Sequence, residues 1–503
     1  MTGNESLSGA ATLGGGTSGV NLTLSGTGDV SGGSGINVVS GQTLTISNIG
    51  EWTNFSKDGN GSVVSNNGNL NIDGATFSSN KTINSWRRGG ALYNGGTISN
   101  LNATFTQNSV QATGGYGVGG AIMNMSGTIT NLSGTFSENY AQAPSKAAGG
   151  AIDNENGTIT NIGTTIDTTF ERNYVNATAA TDSSWHGAYG GAIDNNGGYF
   201  ENIGSDDHRV VFVDNYAKTN AIIAAGGAIS NTGSNGIKTV IAEFTRNYAE
   251  ATSGLARGGA IYNVGSKITS ISNSSFTQNR VISSGNAFGG AIDNSGGGDI
   301  GSMTNVTFSG NYAISSGMDD IGGAINNSGG TIGDIIGGSF SNNYVRAKAT
   351  SFGGAIDNEG GTIKSISSSF SGNYAVSSDG KARGGAIENS AGGRITNGIS
   401  GGVLFSENHV SGKDFALGGA ISNGSYQPWG QNRGIIGDIS ASFSGNYAES
   451  TNGYAKGGAI DNARFTTNTV YSGGTIGAIV GDFTSNRAVS TSNYAYGGAI
   501  SNE

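Results

Sequence analysis

The sequence predicts an all-β fold, a parallel β-helix in which successive coils of the chain stack on one another. Two motifs predict it. Gly-Gly-Ala-Ile-x-Asn, with Leu92 as the one substitute for Ile, recurs thirteen times from Gly89 to Gly497, and Phe-x-x-Asn recurs thirteen times from Phe77 to Phe483. Both repeat at about 30 to 40 residues, a period typical of solenoids whose units contact only their neighbours. Helical periodicity is absent, because no stretch places apolar residues at three-and-four spacing over a dozen positions.

Each of the two motifs ends in Asn, so the repeats contain two columns of asparagine. Identical Asn side chains stacked about 4.8 Å apart can donate to one neighbour and accept from the other, which forms amide ladders. The motif Phe and Ile residues predict the interior, where each contributes roughly 1.5 to 3 kcal/mol on burial. The predicted structural ladder includes Asn154, Asn195, Asn294, Asn358, Asn373, Asn446, Phe340, Phe370 and Phe443.

A third short strand is predicted between the motifs, most clearly as Gly-Thr-Ile, for example at Gly96 and Gly361. Three short strands per coil and about 15 coils follow from this spacing. The Gly-Gly pair before Ala indicates a corner where only the smallest side chains fit. We expect residues 1–76 to form degenerate N-terminal coils or a cap, and residues 77–503 to form one continuous solenoid of regular repeats.

Composition agrees with ordered, stacked strands and excludes several functions. The chain has 92 Gly, 2 Pro and no Cys, with a formal net charge of −10. A flexible Gly/Ser linker is the alternative for such a composition, but a linker has no reason to keep Phe, Ile and Asn in phase. An acidic chain without a Lys/Arg stripe is not expected to bind nucleic acid, and the lack of Cys excludes disulfides and thiolate metal sites. We expect no cofactor.

A row of tyrosines is the first candidate binding surface. A Tyr directly follows the second Asn column in eight repeats and is predicted to face outward, where a row of rings could stack on sugars or contact a protein. The alternative is that the rings stack on one another and only stabilise the coils. The eight residues of this possible glycan-stacking ladder are Tyr140, Tyr174, Tyr216, Tyr248, Tyr312, Tyr344, Tyr374 and Tyr447.

A second column, here called the acidic row, follows Gly-Gly-Ala-Ile. Neighbouring acids in it, such as Asp357 and Glu388, would lie about one coil apart, near the separation that a catalytic carboxylate pair or a calcium site uses. We interpret the row as solvated residues on an outward face, because it varies freely and no basic residue keeps phase with it in the sequence. The acidic row consists of Asp153, Asp194, Asp293, Asp357, Glu388 and Asp461.

Two long insertions after the motifs at Gly418 and Gly457 are the third candidate. Aromatic residues together with Arg are typical of interface centres, and recognition often lies on loops of a rigid scaffold. The alternative is a loop cluster that shields the edge of the coils. The candidate partner-binding residues are Tyr426, Trp429, Arg433, Arg464, Phe465 and Tyr471. The three histidines, His186, His208 and His409, fall in different parts of three coils, so a metal site is not expected.

The paired motifs, as at Gly353-Gly354-Ala355-Ile356 and Phe370-Ser371-Gly372-Asn373, resemble the repeats of polymorphic outer-membrane proteins and, more broadly, autotransporter passenger domains of Gram-negative bacteria. The resemblance covers residues 77–502. It implies a right-handed parallel β-helix that is exported through the outer membrane and often displayed as an adhesin. The chain departs from that family because it carries neither an export signal nor a C-terminal membrane β-barrel, so anchoring in a membrane would have to come through a barrel outside this sequence.

We therefore expect a non-catalytic β-helical passenger, at the bacterial surface or secreted, that acts as an adhesin or structural scaffold. Its partner would be a protein or glycan on a host or neighbouring cell. Two alternatives remain open at this stage. One is a head-to-tail filament subunit that self-associates through its end coils, and the other is a polysaccharide-active β-helix enzyme that uses Asp357 or Glu388.

Overall fold

Parallel β-strands make up the fold, as the repeats predict. The computed structural model describes residues 5–7, 11–13, 19–33, 35–83, 87–179, 186–220, 222–317, 319–424, 433–462, 464–467 and 470–502. These residues form 72 strands and no helix. The chain divides into two compact units, Met1–Thr252 and Ser253–Glu503. The coils cross up to four parallel sheets in turn, named here sheets 1 to 4 in the order in which a coil meets them. The described strands of sheet 3 begin at Ser56–Lys57 and those of sheet 4 at Arg87–Arg88, so the first coils contribute only to sheets 1 and 2.

Sheet 1 is formed by the residues that follow Gly-Gly-Ala, and by three strands before the first of these motifs. Each unit contributes eight described strands to it. In the first unit these are Ala11–Leu13, Ile36–Val38, Val64–Asn66, Leu92–Asn94, Ile122–Met125, Ile152–Glu155, Ile193–Asn196 and Ile229–Thr232. In the second unit they are Ile261–Val264, Ile292–Ser295, Ile325–Ser328, Ile356–Glu359, Ile387–Ser390, Ile421–Asn423, Ile460–Asn462 and Ile500–Asn502.

Sheet 2 is the longest face of the coil and carries the motif Phe near its end. Its strands in the first unit are Glu5–Leu7, Asn21–Ser25, Val30–Gly32, Thr43–Ser47, Glu51–Thr53, Asn69–Ser78, Thr97–Thr106, Thr128–Ser137, Thr158–Ile162, Thr168–Glu171, Tyr199–Ile203, Val210–Val213, Gly236–Val240 and Ala242–Thr245. Those in the second unit are Lys267–Ser272, Ser275–Thr277, Asp299–Thr304, Thr307–Ser309, Thr331–Ser341, Thr362–Ser371, Arg394–Ile395, Ile399–Ser406, Ile435–Ile436, Ile439–Ser444, Thr475–Ile476, Ile479–Val480 and Phe483–Thr484.

Sheet 3 follows the second Asn column and carries the tyrosine row. Its strands in the first unit are Ser56–Lys57, Lys81–Ile83, Ser109–Gln111, Tyr140–Ala143, Tyr174–Ala177, Tyr216–Thr219 and Tyr248–Ala251. Those in the second unit are Arg280–Ser283, Tyr312–Ser315, Tyr344–Ala347, Tyr374–Ser377, His409–Gly412, Tyr447–Ser450 and Arg487–Ser490.

Sheet 4 lies directly before Gly-Gly and is the strand that the sequence analysis did not predict, so each coil has four strands where three were expected. In the first unit its strands are Arg87–Arg88, Tyr116–Val118, Lys146–Ala148, Gly187–Tyr189 and Ile223–Ala225. In the second unit they are Leu255–Arg257, Ala287–Phe288, Asp319–Ile321, Thr350–Phe352, Lys381–Arg383, Phe415–Leu417, Tyr454–Lys456 and Ala495–Tyr496. A separate antiparallel hairpin pairs Arg464–Thr467 with Val470–Gly473.

The core is a set of continuous side-chain stacks, and the predicted Phe and Ile columns are in it. From Phe77 to Phe244 in the first unit, consecutive Phe rings lie 4.8–5.0 Å apart between centroids and nearly parallel. From Phe276 to Phe483 in the second unit they lie 4.7–4.9 Å apart. Because the chain rises by one strand spacing per coil, identical residues stack at that spacing.

Both Asn columns form the predicted amide ladders at two corners of the coil. After Gly-Gly-Ala, Asn154 Nδ2 donates to Asn195 Oδ1 at 2.9 Å, and Asn358 Nδ2 donates to Asn389 Oδ1 at 2.7 Å. In the second column Asn373 Nδ2 donates to Asn408 Oδ1 at 2.9 Å. The same amide nitrogen also donates to a motif Phe carbonyl, as in Asn373 to Phe340 at 3.0 Å. The ladders therefore satisfy buried backbone groups at corners where the strand pattern is interrupted.

Candidate functional site

The tyrosine row on sheet 3 is a ladder of stacked rings. In the first unit Tyr140, Tyr174, Tyr216 and Tyr248 follow one another in strand register, with centroids 4.8, 4.9 and 4.9 Å apart and interplanar angles of 4°, 3° and 9°. All four side chains are half-buried. The strand pairing fixes this geometry, because Tyr140, Tyr174 and Tyr216 occupy equivalent places in neighbouring parallel strands.

The second unit carries a similar ladder with a histidine in it. Tyr312, Tyr344 and Tyr374 stack at 4.9 and 4.7 Å between centroids. His409 pairs in register with Tyr374 and stacks on Tyr447 at 5.0 Å. Burial lowers the pKa of His409. The structure places His409 inside the ladder as a half-buried ring.

A groove of about 740 Å³ runs over the first-unit ladder. We call it the tyrosine groove, and its lining consists of Ser79, Lys81, Gln107, Ser109, Gln111, Glu138, Tyr140, Arg172, Tyr174, Asp214, Tyr216 and Tyr248. Charges of both signs alternate along one wall. Arg172 Nε lies 3.1 Å from Glu138 Oε1, and Gln107 Nε2 donates to Glu138 Oε2 at 2.9 Å. Hydrogen bonds from Gln107 and Arg172 lower the pKa of Glu138, so this wall keeps its charge.

Because the Tyr rings are stacked, the ladder exposes ring edges and hydroxyl groups along its length and not ring faces. Each ring inside the ladder has its faces covered by the neighbouring rings, so only edges and hydroxyl groups are directed to the groove. Burial, and then the neighbouring Tyr140, raise the pKa of Tyr174, which keeps its hydroxyl neutral. A neutral phenol both donates and accepts hydrogen bonds. The groove is therefore suited to hydrogen bonding and edge contacts, whereas sugar rings could stack only at the ends of the ladder.

The acidic row is not a solvated outward face, and that interpretation was wrong. Asp153, Asp194, Asp293, Asp357, Glu388 and Asp461 are all 0–2% exposed. Strand alternation does direct these side chains away from the Phe core. The Gly-Gly corner, however, folds sheet 4 against this side of sheet 1, which closes a second buried layer outside the main core. Val118, Met123 and Ala148 fill the apolar part of this layer in the first unit.

Basic residues do keep phase with the acidic row, contrary to the sequence analysis. They lie on sheet 4 and cross the corner to the carboxylates. Lys146 Nζ is 3.7 Å from Asp194 Oδ2, Arg257 Nη1 is 3.0 Å from Asp293 Oδ2, and Arg383 Nη2 is 3.2 Å from Glu388 Oε1. Buried carboxylates need such partners, since an isolated charge in a protein interior is very costly.

The pair Asp357 and Glu388, proposed above for an enzyme, is side by side in the sheet 1 register. Burial raises the pKa of Glu388 to about 7, although Arg383 opposes the shift. Burial, and then the charges of Glu359 and Glu388, raise the pKa of Asp357 well above its usual range. Raised values are typical of acid catalysts, but these side chains are 1% and 0% exposed, so a substrate has no access to them in this structure.

A second cavity, of about 470 Å³, opens on the buried layer of the first unit. We call it the acidic pocket, and it is lined by Asn60, Arg88, Tyr116, Val118, Lys146, Asp153, Glu155 and Asn196. Sequence reasoning missed it, because it depends on the packing of sheet 4 on sheet 1. The available signal was that four residues directly before Gly-Gly are basic, namely Arg88, Arg257, Arg383 and Lys456.

The predicted loop site is only partly described. Tyr426 and Trp429 lie outside the described residues. Arg433 is exposed. Arg464, Phe465 and Tyr471 lie on the antiparallel hairpin, where Thr466 pairs with Tyr471. The structure thus shows a hairpin in one insertion, and the proposal that these six residues form a partner site stays a prediction.

The described residues contain no group of three or more His, Cys, Asp or Glu side chains arranged to hold a metal ion. Within the same residues, no helix has the length and hydrophobicity needed to cross a bilayer. Comparison with protein-family models, curated proteins and solved structures finds no match.

Proposed function

We propose that the chain is a non-catalytic binding scaffold, exported to a bacterial surface or secreted, whose partner lies along the tyrosine groove. The observation that carries the proposal is the first-unit ladder, four parallel Tyr rings at 4.8–4.9 Å under an open groove. Sheet pairing and stacking hold these rings in place, so little side-chain entropy is lost when a partner binds.

The chemistry of the groove favours a protein surface over a stacked glycan. Tyr and Arg, together with Trp, are the residues enriched at binding hot spots. Here Tyr174 and Tyr216 present edges and hydroxyls beside Arg172, which is paired with Glu138. Sugars are usually recognised through open ring faces, and those faces are covered inside the ladder. We therefore place an extended polypeptide or a protein edge on a host or neighbouring cell as the partner.

A cell-adhesion assay with purified protein tests this function. Surfaces coated with the wild-type chain should retain cells, and the double substitution Tyr174→Ala and Tyr216→Ala should reduce retention by a factor of about ten or more, since hot-spot truncations cost about 2 kcal/mol or more. Tyr199→Ala is the matched control, because Tyr199 is a half-buried Tyr on sheet 2, outside the groove lining. Circular dichroism should show that both variants keep their β structure.

Pre-treatment of the cells identifies the class of partner. Protease treatment should abolish retention if the partner is a protein, whereas loss of retention only after glycosidase treatment would support the glycan prediction instead. Equal retention by the double variant and the wild type would overturn the role of the groove. Fibres that grow with protein concentration, without any adhesion, would instead support the filament alternative.

A further inference from the structure

The acidic pocket of the first unit, together with the wall behind it, holds more carboxyl groups than basic groups. Its lining brings Arg88, Lys146, Asp153 and Glu155 together in a cavity of about 470 Å³. This volume lies in the range of small-molecule sites in proteins. Asp194 lies in strand register with Asp153 and adds a third carboxylate to the wall behind the cavity.

Two of these carboxylates have a basic partner. Arg88 Nη2 lies 3.6 Å from Glu155 Oε2, and Lys146 Nζ lies 3.7 Å from Asp194 Oδ2. Asp153 is the third carboxylate, and none of the described Lys and Arg nitrogens is within ion-pairing distance of it. With all five groups ionised, they would sum to one excess negative charge on Asp153, which lines the cavity and is only 2% exposed.

The same wall offers a site for the body of a cationic ligand. Tyr116 lines the cavity, and an aromatic ring beside a carboxylate is a common way to recognise an ammonium group. Asn60 and Asn196 add neutral hydrogen-bonding groups to the lining. An ammonium ion could pair with Asp153, whereas an anionic ligand would find Arg88 and Lys146 already paired with Glu155 and Asp194.

We propose that the acidic pocket binds a small organic ammonium ion, with Asp153 as its counter-ion and Tyr116 against its body. This site is independent of the tyrosine groove, which lies on sheet 3. Binding would supply the positive charge that the buried carboxylate lacks, because a buried charge is tolerated only when it is paired.

Binding of an ammonium ion beside Asp153 should change the protonation of that carboxyl group, which can be measured. Burial, and then the charge of Asp194, raise the pKa of Asp153 well above its usual range, while Lys146 and more weakly Arg88 act in the opposite direction. Asp153 therefore holds a proton in the empty pocket over a range where a free Asp is ionised. An arriving ammonium ion favours the carboxylate, so its binding releases a proton to the buffer.

Calorimetric titration of the purified chain with small amines, from methylamine and n-butylamine to spermidine, tests the proposal. We expect saturable binding of at least one amine, no binding of the matched alcohol n-butanol, and a heat of binding that changes between buffers by about one proton's ionisation enthalpy. Saturation-transfer NMR on the same samples detects complexes that are too weak for calorimetry.

Two substitutions separate the pocket from general effects on the fold. Asp153→Asn should weaken amine binding by a factor of about ten or more, since truncating one partner of a buried charge pair costs several kcal/mol. Asp357→Asn is the control, because Asp357 is a buried carboxylate of the same row in the second unit, at 1% exposure. It should leave amine binding unchanged. The proposal is overturned if no amine in the panel binds, if n-butanol binds as well as n-butylamine, or if Asp153→Asn binds as tightly as the wild type.

Discussion

Gly150, the second glycine of a Gly-Gly corner, shows how closely successive coils approach. A Cβ atom added there would lie 2.1 Å from the carbonyl oxygen of Gly191 in the next coil and 2.6 Å from the backbone nitrogen of Tyr174. Both contacts are with backbone, which cannot move aside without separating the coils. The repeated Gly is thus required by packing between coils and not by turn geometry alone.

We predict that Gly150→Ala destabilises the first unit by about 3 kcal/mol or more, a cost at the upper end of overpacking in a core. Gly33→Ala is the control, since nothing lies within 4 Å of the added Cβ there and the backbone is not in the left-handed region. That substitution should be neutral or slightly stabilising. Urea unfolding monitored by circular dichroism measures both, and equal midpoints for the two variants would contradict the steric argument.

At the scale of the element, the Asn ladder allows the contribution of one side chain to the free energy of unfolding to be measured. Asn139 Nδ2 donates to Phe105 O at 2.9 Å and to Asn173 Oδ1 at 3.0 Å, and its Oδ1 accepts from the backbone and side-chain nitrogens of Asn108. Every one of these bonds is buried. Removing the amide leaves donors and acceptors in neighbouring coils without partners and without water.

Asn139→Ala should therefore lower the free energy of unfolding by roughly 3–6 kcal/mol, because each buried unsatisfied group costs about 1–3 kcal/mol. The matched control is Asn131→Ala on the outer side of sheet 2. Asn131 also bonds the neighbouring coils, to Asn100 at 2.9 Å and from Asn161 at 3.0 Å, but it is only half-buried, so water can replace it. We expect a loss below about 1 kcal/mol there. Denaturant unfolding should show a larger loss of unfolding free energy for Asn139→Ala than for Asn131→Ala. Similar losses in the two variants would show that burial of the amide does not determine the cost of removing it.

The elements that were predicted correctly are those whose signal lies in the repeat itself. Phe340, Phe370 and Asn373 return in phase with their counterparts, and side chains in phase must stack when strands are parallel and in register. Sheet 4 has a weaker signal. Its strands are two or three residues long, as in Ala287–Phe288, and their recurrent residue is a small one two positions before Gly-Gly, which is Ala in nine of the thirteen repeats. A segment that short has no periodicity to detect.

The acidic row shows the limit of local pattern reasoning. Alternation correctly directs Asp357 away from the Phe core, but it cannot reveal that another strand covers that side. The cover comes from Arg383 and its neighbours across the Gly-Gly corner, and this contact depends on the backbone path between two strands. The tyrosine ladder was predicted in position, and both of its alternative interpretations, stacking and partner binding, remain compatible with one half-buried row.

At the scale of the whole molecule, buried carboxylates recur in both units, and they all make the free energy of unfolding depend on pH in the same direction. Burial raises the pKa of Asp153 and Asp194 in the first unit, and of Asp293, Asp357 and Glu388 in the second. In each case the folded state holds its proton more tightly than the unfolded state does. As the pH rises above the unfolded pKa the unfolded chain loses its proton first, so each group lowers stability until its folded pKa is passed.

The thermal unfolding midpoint should therefore fall as the pH is raised from about 4.5 to about 7, opposite to the usual behaviour of salt-bridged surface carboxylates. For Glu388 the range is set by its ordinary pKa of 4.5 and its raised pKa of about 7. That difference corresponds to roughly 3 kcal/mol.

Glu388→Gln removes this titrating group, so the unfolding midpoint should fall less steeply with pH between about 4.5 and about 7. Part of the pH dependence should remain, because the other four buried carboxylates still titrate. Gly33→Ala, which changes no titrating group, is the control and should leave the slope unchanged. An identical slope in Glu388→Gln and the wild type would show that the buried layer is not the source of the pH dependence.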